Sequence, residues 1–185
     1  MAAEKQTTIE CTLPVQTLQV GSLHVDGPRQ HGEKILFPIR YTDPLFTLQY
    51  VSLLLPPLKL KGYSATTQLL EVYADPILGK LQTIQDILLS HLAGVPEWLS
   101  TASLKKGELQ QLFQPILKHN ILTVFLHPKT WIYKQKKWVQ GPTAEGITAT
   151  EIQLILRLQG LQVLPSANPG KRVRIQHQTL GVLCT

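Results

Sequence analysis

The stretch Thr150-Glu-Ile-Gln-Leu-Ile-Leu-Arg-Leu158 decides the fold class. Ile152, Leu154, Leu156 and Leu158 alternate with Gln153, Ile155, Arg157 and Gln159. A period of two is the mark of a strand with one buried face. Gly160 predicts a bulge, after which Leu161 and Val163 continue the run. Ser166-Ala-Asn-Pro-Gly170 is a strong turn signal, and Lys171–Val182 reads as the returning strand. In that second run Arg172, Arg174, Gln176 and Gln178 fall on one face, with Val173 and Ile175 on the other. The two runs predict a β-hairpin.

Further upstream the same grammar recurs. Val15–Val25 has loosely spaced apolar residues and meets Asp26-Gly-Pro28, a turn. Lys34–Tyr41 alternates, with Ile35, Phe37 and Ile39 on one side, and Pro38 predicts an edge strand. Leu45–Leu55 is strand-like and closed by Pro56-Pro57, and Gln68–Tyr73 is another strand. Asp75 then reads as an N-cap with Pro76 at the first helical position. Ile77, Leu81, Ile84, Leu88 and Leu92 make one apolar stripe, which predicts a helix over about 76–92, stopped by Gly94 and Pro96. A short second helix is expected at about 104–112, ended by Pro115. Ile121–Leu126 and Thr130–Val139 read as strands with His127-Pro-Lys129 turning between them, and Gly141–Gly146 as a loop. The expectation is one mainly β domain over residues 1–185 with a helical insertion at about 75–112. An OB-like small barrel or sandwich fits this order, and a jelly roll is the alternative.

Charge is distributed unevenly. Of the net +6, residues 1–104 carry seven Lys/Arg against nine Asp/Glu, a net of −2. Residues 105–185 carry eleven against three, a net of +8. A field of one sign attracts polyanions, although a merely solvated basic surface has the same composition. Cys11 and Cys184 stand far apart with neither the spacing of a disulfide framework nor that of a zinc site. Reduced thiols, no bound metal and no cofactor are expected. With no apolar leader and no membrane-spanning run, the chain reads as intracellular (cytoplasm or nucleus), not secreted and not membrane-bound. No phosphate-cradling glycine loop, nucleophile elbow or metalloprotease motif is present, and the six His are scattered, so no catalytic residue is assigned. His91 on the apolar stripe reads as structural.

Lys129-Thr-Trp-Ile-Tyr-Lys-Gln-Lys-Lys-Trp138 carries the functional signal. Trp131 and Tyr133 interleave with Lys134, Lys136 and Lys137, which supplies aromatic faces for bases and ammonium groups for phosphates. The competing reading is a hairpin whose aromatics face the core and whose lysines are solvated. Trp138, beside Val139 and a turn, reads as core. Arg157, Arg172 and Arg174 either line a groove across the predicted hairpin or form an exposed face whose charges discourage edge pairing.

The order of these features resembles the virus-encoded single-stranded-DNA-binding OB-fold proteins of the phage-T7 type and their relatives in large DNA viruses. The residues that carry the resemblance are Tyr41-Thr-Asp-Pro-Leu-Phe-Thr-Leu-Gln49, Glu151–Leu164 and Lys171-Arg-Val-Arg-Ile-Gln-His-Gln178. A Pro-Leu-x-x-Gln strand precedes a helical insertion, and an apolar strand turns into a basic, Gln-containing one. The chain departs from the phage pattern in closing on Leu-Gly-Val-Leu-Cys-Thr, without an acidic tail, so tail-mediated recruitment is not expected. The resemblance implies a non-enzymatic single-stranded nucleic-acid (ssDNA) binding protein of DNA replication, with further copies of itself or other viral replication proteins as partners. The alternative is a structural or assembly protein such as a minor virion component, with the low-charge stretch 45–60 (Leu45, Leu48, Val51, Leu53–Leu55, Leu58) as a subunit contact.

Overall fold

The computed structural model describes residues 11–94, 111–142, 147–165 and 171–184. The first strands are β1 (Thr12–Pro14), β2 (Leu23–Val25), β3 (Arg29–His31), β4 (Lys34–Thr42), β5 (Thr47–Leu48), β6 (Val51–Leu54), β7 (Leu58–Ser64) and β8 (Leu69–Tyr73). Helix α1 (Leu78–Ala93) follows, then β9 (Phe113–Gln114), β10 (Leu117–Lys118), β11 (Ile121–Phe125), β12 (Trp131–Lys134) and β13 (Lys137–Gln140). Two long strands close the chain, β14 (Glu151–Pro165) and β15 (Lys171–Cys184). Among the described residues the protein is mainly β, with α1 as the one helix seen whole, as its period-two segments predict. The expected second helix lies outside the described residues, apart from Gln111 and Leu112, which are helical. So does the turn at 166–170.

β14 is the spine of the fold. Along one edge it pairs with β15 over almost its whole length, from Ile152↔Cys184 to Pro165↔Lys171. Along the other edge it pairs in turn with β7, β6 and β4. The register shifts between Ile155 and Leu156 and between Leu158 and Gly160, so the predicted bulge at Gly160 is present. The main path of the sheet runs β10-β11-β8-β7-β14-β15-β12-β13. Among the described residues its two ends do not pair, and the sheet is open.

The inner face of this sheet holds the core. Ile152, Leu154, Leu156, Leu158, Leu161 and Val163 are buried, as are Ile35, Phe37, Ile39 and Tyr41 of β4. Burial of each such side chain stabilises by ~1.5–3 kcal/mol. Helix α1 contributes Leu81, Ile84, Leu88, Leu89 and Leu92 to the same core, and exposed His91 turns its ring edge-on to Phe37 at 6.3 Å. Asp75 does not cap α1. It lies in a 3-10 turn (Asp75–Ile77) with no capping bond, and its Oδ1 accepts a bond from Asn120 Nδ2 at 2.9 Å. Strand β7, hidden in the sequence behind Pro56-Pro57, pairs with both β8 and β14.

Pro38 is interior, contrary to its reading as an edge marker. β4 has β3 and β14 on opposite edges at Ile35 and Leu36. The Pro38 carbonyl accepts from Asp26 N at 2.8 Å, in the gap where β3 gives way to β2. The proline nitrogen faces the same edge as its carbonyl, towards that gap, so the missing N–H costs no bond of the ladder with β14. Opposite Pro38 stands Gly160. A Cβ at Gly160 would run into the Phe37 carbonyl oxygen and come within 2.9 Å of Leu36 Cδ1 and of the Phe37 carbonyl carbon. Only glycine lets the two strands approach this closely.

Candidate nucleic-acid interface

Local chemistry builds the aromatic hairpin. Thr130 is buried and its Oγ1 donates to the Thr179 carbonyl at 2.9 Å. Gly141, at φ +81, donates its N–H back to the Thr130 carbonyl at 2.8 Å and closes the base. The tip is a two-residue turn in which Gln135 (φ 49) and Lys136 (φ 63) are both left-handed. That is the conformation of a type I′ turn, whose twist matches the flanking strands. The single strand expected over Thr130–Val139 is therefore two strands, interrupted at residues that carry no glycine signal. β12 and β13 pair Trp131 with Gln140 and Tyr133 with Trp138.

The register then decides which way each side chain points, because directly paired residues share a face. β12 joins β15 in parallel, with Trp131↔Gly181, Ile132↔Val182 and Tyr133↔Leu183. Ile132 and Val182 are buried, so Trp131, Tyr133 and Trp138 project from the outer face. Trp131 and Trp138 are each 48% exposed, and the Tyr133 and Trp138 rings lie 5.1 Å apart, tilted by 52°. Trp138 thus joins the exposed set and not the core. Gly181 pairs with Ile155 on the same outer face. Trp131, Trp138, Ile155, Leu180, Gly181 and Thr12 bound an open groove of about 510 Å³. Gly181, without a side chain, forms its floor.

The lysines of the hairpin behave differently from their sequence reading. Lys134 and Lys137 pair with each other at the tip, in phase with Ile132 and Val139 and so turned from the tryptophan face. Lys134 lies near inward-facing Cys184: burial raises that thiol's pKa, and the Lys134 charge opposes the rise. Lys136 is exposed in the turn itself. The structure does not place Lys134 and Lys137 on the face that carries Trp131 and Tyr133.

The cations on the aromatic face come from β14 and β15 instead. Arg157, half-buried, pairs with Gln178 and Ser52. Its Nε donates to Ser52 Oγ at 3.3 Å and its guanidinium lies 5.3 Å from the centre of the Tyr50 ring. Beyond the bulge, Gly160↔Gln176, Gln162↔Arg174 and Leu164↔Arg172 continue the outer face. Arg172 and Arg174 are exposed, and Arg174 Nε donates to Gln162 Oε1 at 2.9 Å. The hairpin strands thus place all three arginines on one face, in line with the tryptophans. Tyr50, 53% exposed, is a member that the sequence reading missed. It lies 107 positions before Arg157, and no local pattern links the two.

The low-charge stretch 45–60 divides in the same way. Val51, Leu53, Leu55 and Leu58 are fully buried core residues, not subunit contacts, whereas Leu45 is 90% exposed. Cys11 and Cys184 are both free thiols. Among the described residues no group of His, Cys, Asp and Glu is placed to hold a metal ion, and no helix is long and apolar enough to cross a membrane. Comparison of the chain with family models, curated proteins and solved structures found no match.

Proposed function

We propose that this outer face binds single-stranded nucleic acid without sequence preference, and that the protein is non-enzymatic and intracellular. The observation that carries the reading is the shared register of the aromatic hairpin and the arginine ribbon. Trp131, Tyr133 and Trp138 offer rings on which bases stack, and Arg157, Arg172 and Arg174 meet the phosphates that follow. Lys136 at the hairpin tip, with Lys134 and Lys137 behind it, adds to the field that draws the strand in without touching the stacked bases. The finer architecture belongs to the same proposal. An OB-like small barrel is supported by the way β14 bends at two register shifts and serves β7, β6 and β4 in succession. A replication role in a viral setting follows from the resemblance described above.

The test is titration with oligo-dT. Binding quenches Trp fluorescence, and Trp131→Ala removes most of the quench and weakens affinity by ~5- to 150-fold, the equivalent of one stacked base at ~1–3 kcal/mol. Affinity falls with salt at a log–log slope of about −0.7 per phosphate contact. A flat salt dependence, or a quench that survives Trp131→Ala unchanged, refutes the reading. The assembly role is the second reading, and the exposure of Leu45, Phe46 and Tyr50 favours it. Concentration-dependent sedimentation without DNA would establish that reading in place of the first.

A further inference from the structure

We infer that the interface is bipartite: the tryptophan groove holds bases at one end, and a four-cation phosphate clamp at the other end joins Arg29 and Lys34 to Arg172 and Arg174. This rests on the strand-binding reading and adds a second site together with a minimum length of ligand. The clamp is built by cross-strand register. Arg29 pairs with Leu36, Leu36 with Gln162, and Gln162 with Arg174. These four residues form one row across β3, β4, β14 and β15. In the next row Lys34, one residue before Ile35↔Val163, stands level with Leu164↔Arg172. Ile35, Phe37 and Ile39 are buried, so Lys34 and Leu36 point outward, as Arg29 does.

At ~4.8 Å between strands, Arg29 and Arg174 are roughly 14 Å apart at the backbone and Lys34 and Arg172 roughly 10 Å. Arginine and lysine side chains close much of that distance. All four residues are exposed, and none has an acidic partner among the described residues. Two other cations of the sheet are neutralised, Arg40 by Asp26 at 2.6 Å and Lys61 by Glu71 at 3.0 Å. Between the groove and the clamp, the paired outer positions are Arg157, Gly160 and Gln162 on β14 and Gln178, Gln176 and Arg174 on β15, with no acid among them. Glu33, in the turn just before Lys34, is exposed and makes no ion pair with the four cations. Like-signed groups left unpaired repel one another unless they meet an anion, and regularly spaced phosphates supply one.

Length follows from the ribbon. Gly181 and Arg172 are nine residues apart on β15, ~30 Å at 3.3 Å per residue. At ~3.4 Å per phosphate of a stacked strand, dT12 covers that distance and dT4 spans only about 10 Å.

The experiment is a salt titration of dT4 and dT12 binding, by Trp quench, on the wild-type protein and on Arg29→Ala/Lys34→Ala. The wild type should bind dT12 far more tightly than dT4, and the double variant should lower the dT12 salt slope by about 1.4, two contacts at ~0.7 each, while leaving dT4 binding unchanged. Circular dichroism of the variant confirms its fold, since both side chains are exposed. If dT4 binds as tightly as dT12, or the dT12 slope is unchanged in the variant, the clamp is refuted and strand binding stands. If neither oligonucleotide quenches or binds, the strand-binding reading itself falls.

Discussion

Gly160→Ala tests fold and interface together. Gly160 sits where β14 passes β4, and an added methyl would meet backbone, with the Phe37 carbonyl carbon at 2.9 Å and its oxygen closer. Carbon contacts are comfortable at ~3.5–4.0 Å, so the strands must part by ~1 Å. Overpacking of this kind costs ~1–3 kcal/mol. Parting also strains a ladder of four residue pairs, Gly160↔Pro38 to Val163↔Ile35, in which each weakened hydrogen bond loses ~0.5–1.5 kcal/mol. The expected loss is about 2–5 kcal/mol, read as a drop in urea midpoint at constant slope, or as a fall in Tm of roughly 10 °C for a chain of this size. Gly62→Ala is the control. It too lies at an irregularity of a strand, between β7 and β8, but an added Cβ there meets nothing within 4 Å. Its effect should stay within ~0.5 kcal/mol. A Gly160→Ala protein as stable as the Gly62→Ala protein would refute the close approach, and with it the pairing that carries Lys34 to Arg172.

Three further outcomes follow from particular groups. Thr179 is buried and its Oγ1 has no partner among the described residues, so Thr179→Val should raise stability by ~1 kcal/mol in urea unfolding, since an unmet buried hydroxyl costs ~1–3 kcal/mol. The left-handed Gln135 and Lys136 should accept Asn and Gly with a gain of about 1 kcal/mol, seen as a higher Tm, because the I′ turn favours Asn-Gly. Burial lowers the pKa of His177 from 6.5, against a hydrogen bond to the Ile175 carbonyl and with the help of the Arg174 charge. The unfolded chain therefore binds that proton first, and this contribution is complete above pH 6.5 and lost as pH falls towards the lower folded value. His177→Gln should flatten the urea midpoint over that window, and an unchanged acid slope would refute the assignment.

Much of the fold is legible in residue periodicity. β14, β4 and α1 announce themselves because each buries one face against the core, and a buried face leaves a period in the sequence. The bulge was readable for a related reason: Gly160 is the one glycine in the run 150–165 and falls where the alternation slips, and the close pass of β4 demands it. Other elements carry no such trace. β7 alternates Leu and Lys for only four residues before Gly62, and the β12–β13 turn uses Gln and Lys where Asn-Gly would have signalled it. Pro38 misled because a proline removes only the bond its own N–H would make. That edge of Pro38 faces Asp26 in the gap between β2 and β3, while its pairing with Gly160 on the other edge needs no N–H from it. Asp75 had two possible uses for one carboxylate, and Asn120, brought close by the pairing of β11 with β8, takes it.

The charge asymmetry along the chain is a weaker guide than the asymmetry across the sheet. Counting by halves assigns the basic character to residues 105–185 and leaves the first part, at −2, as scaffold. Register redistributes it. Lys134 and Lys137, inside the basic half, turn from the aromatic face, whereas Arg29 and Lys34, inside the acidic half, are carried onto it by β3 and β4. Two acids of the first part are held at other positions of the sheet, Asp26 by Arg40 and Glu71 by Lys61, whereas Glu33 stays in the turn between β3 and β4, beside Lys34. What a polyanion meets is set by the parity of each residue in its strand, and parity inverts with a one-residue change of register. That makes the bulge at Gly160 part of the interface: it brings Leu161 and Val163 back to the core and sets Gln162 on the opposite side of the sheet, where it is covered and accepts a hydrogen bond from Arg174. Deleting Gln159, the unpaired residue of that bulge, would turn the far half of β14 over, taking Gln162 from Arg174 into the apolar core where Leu161 and Val163 now pack.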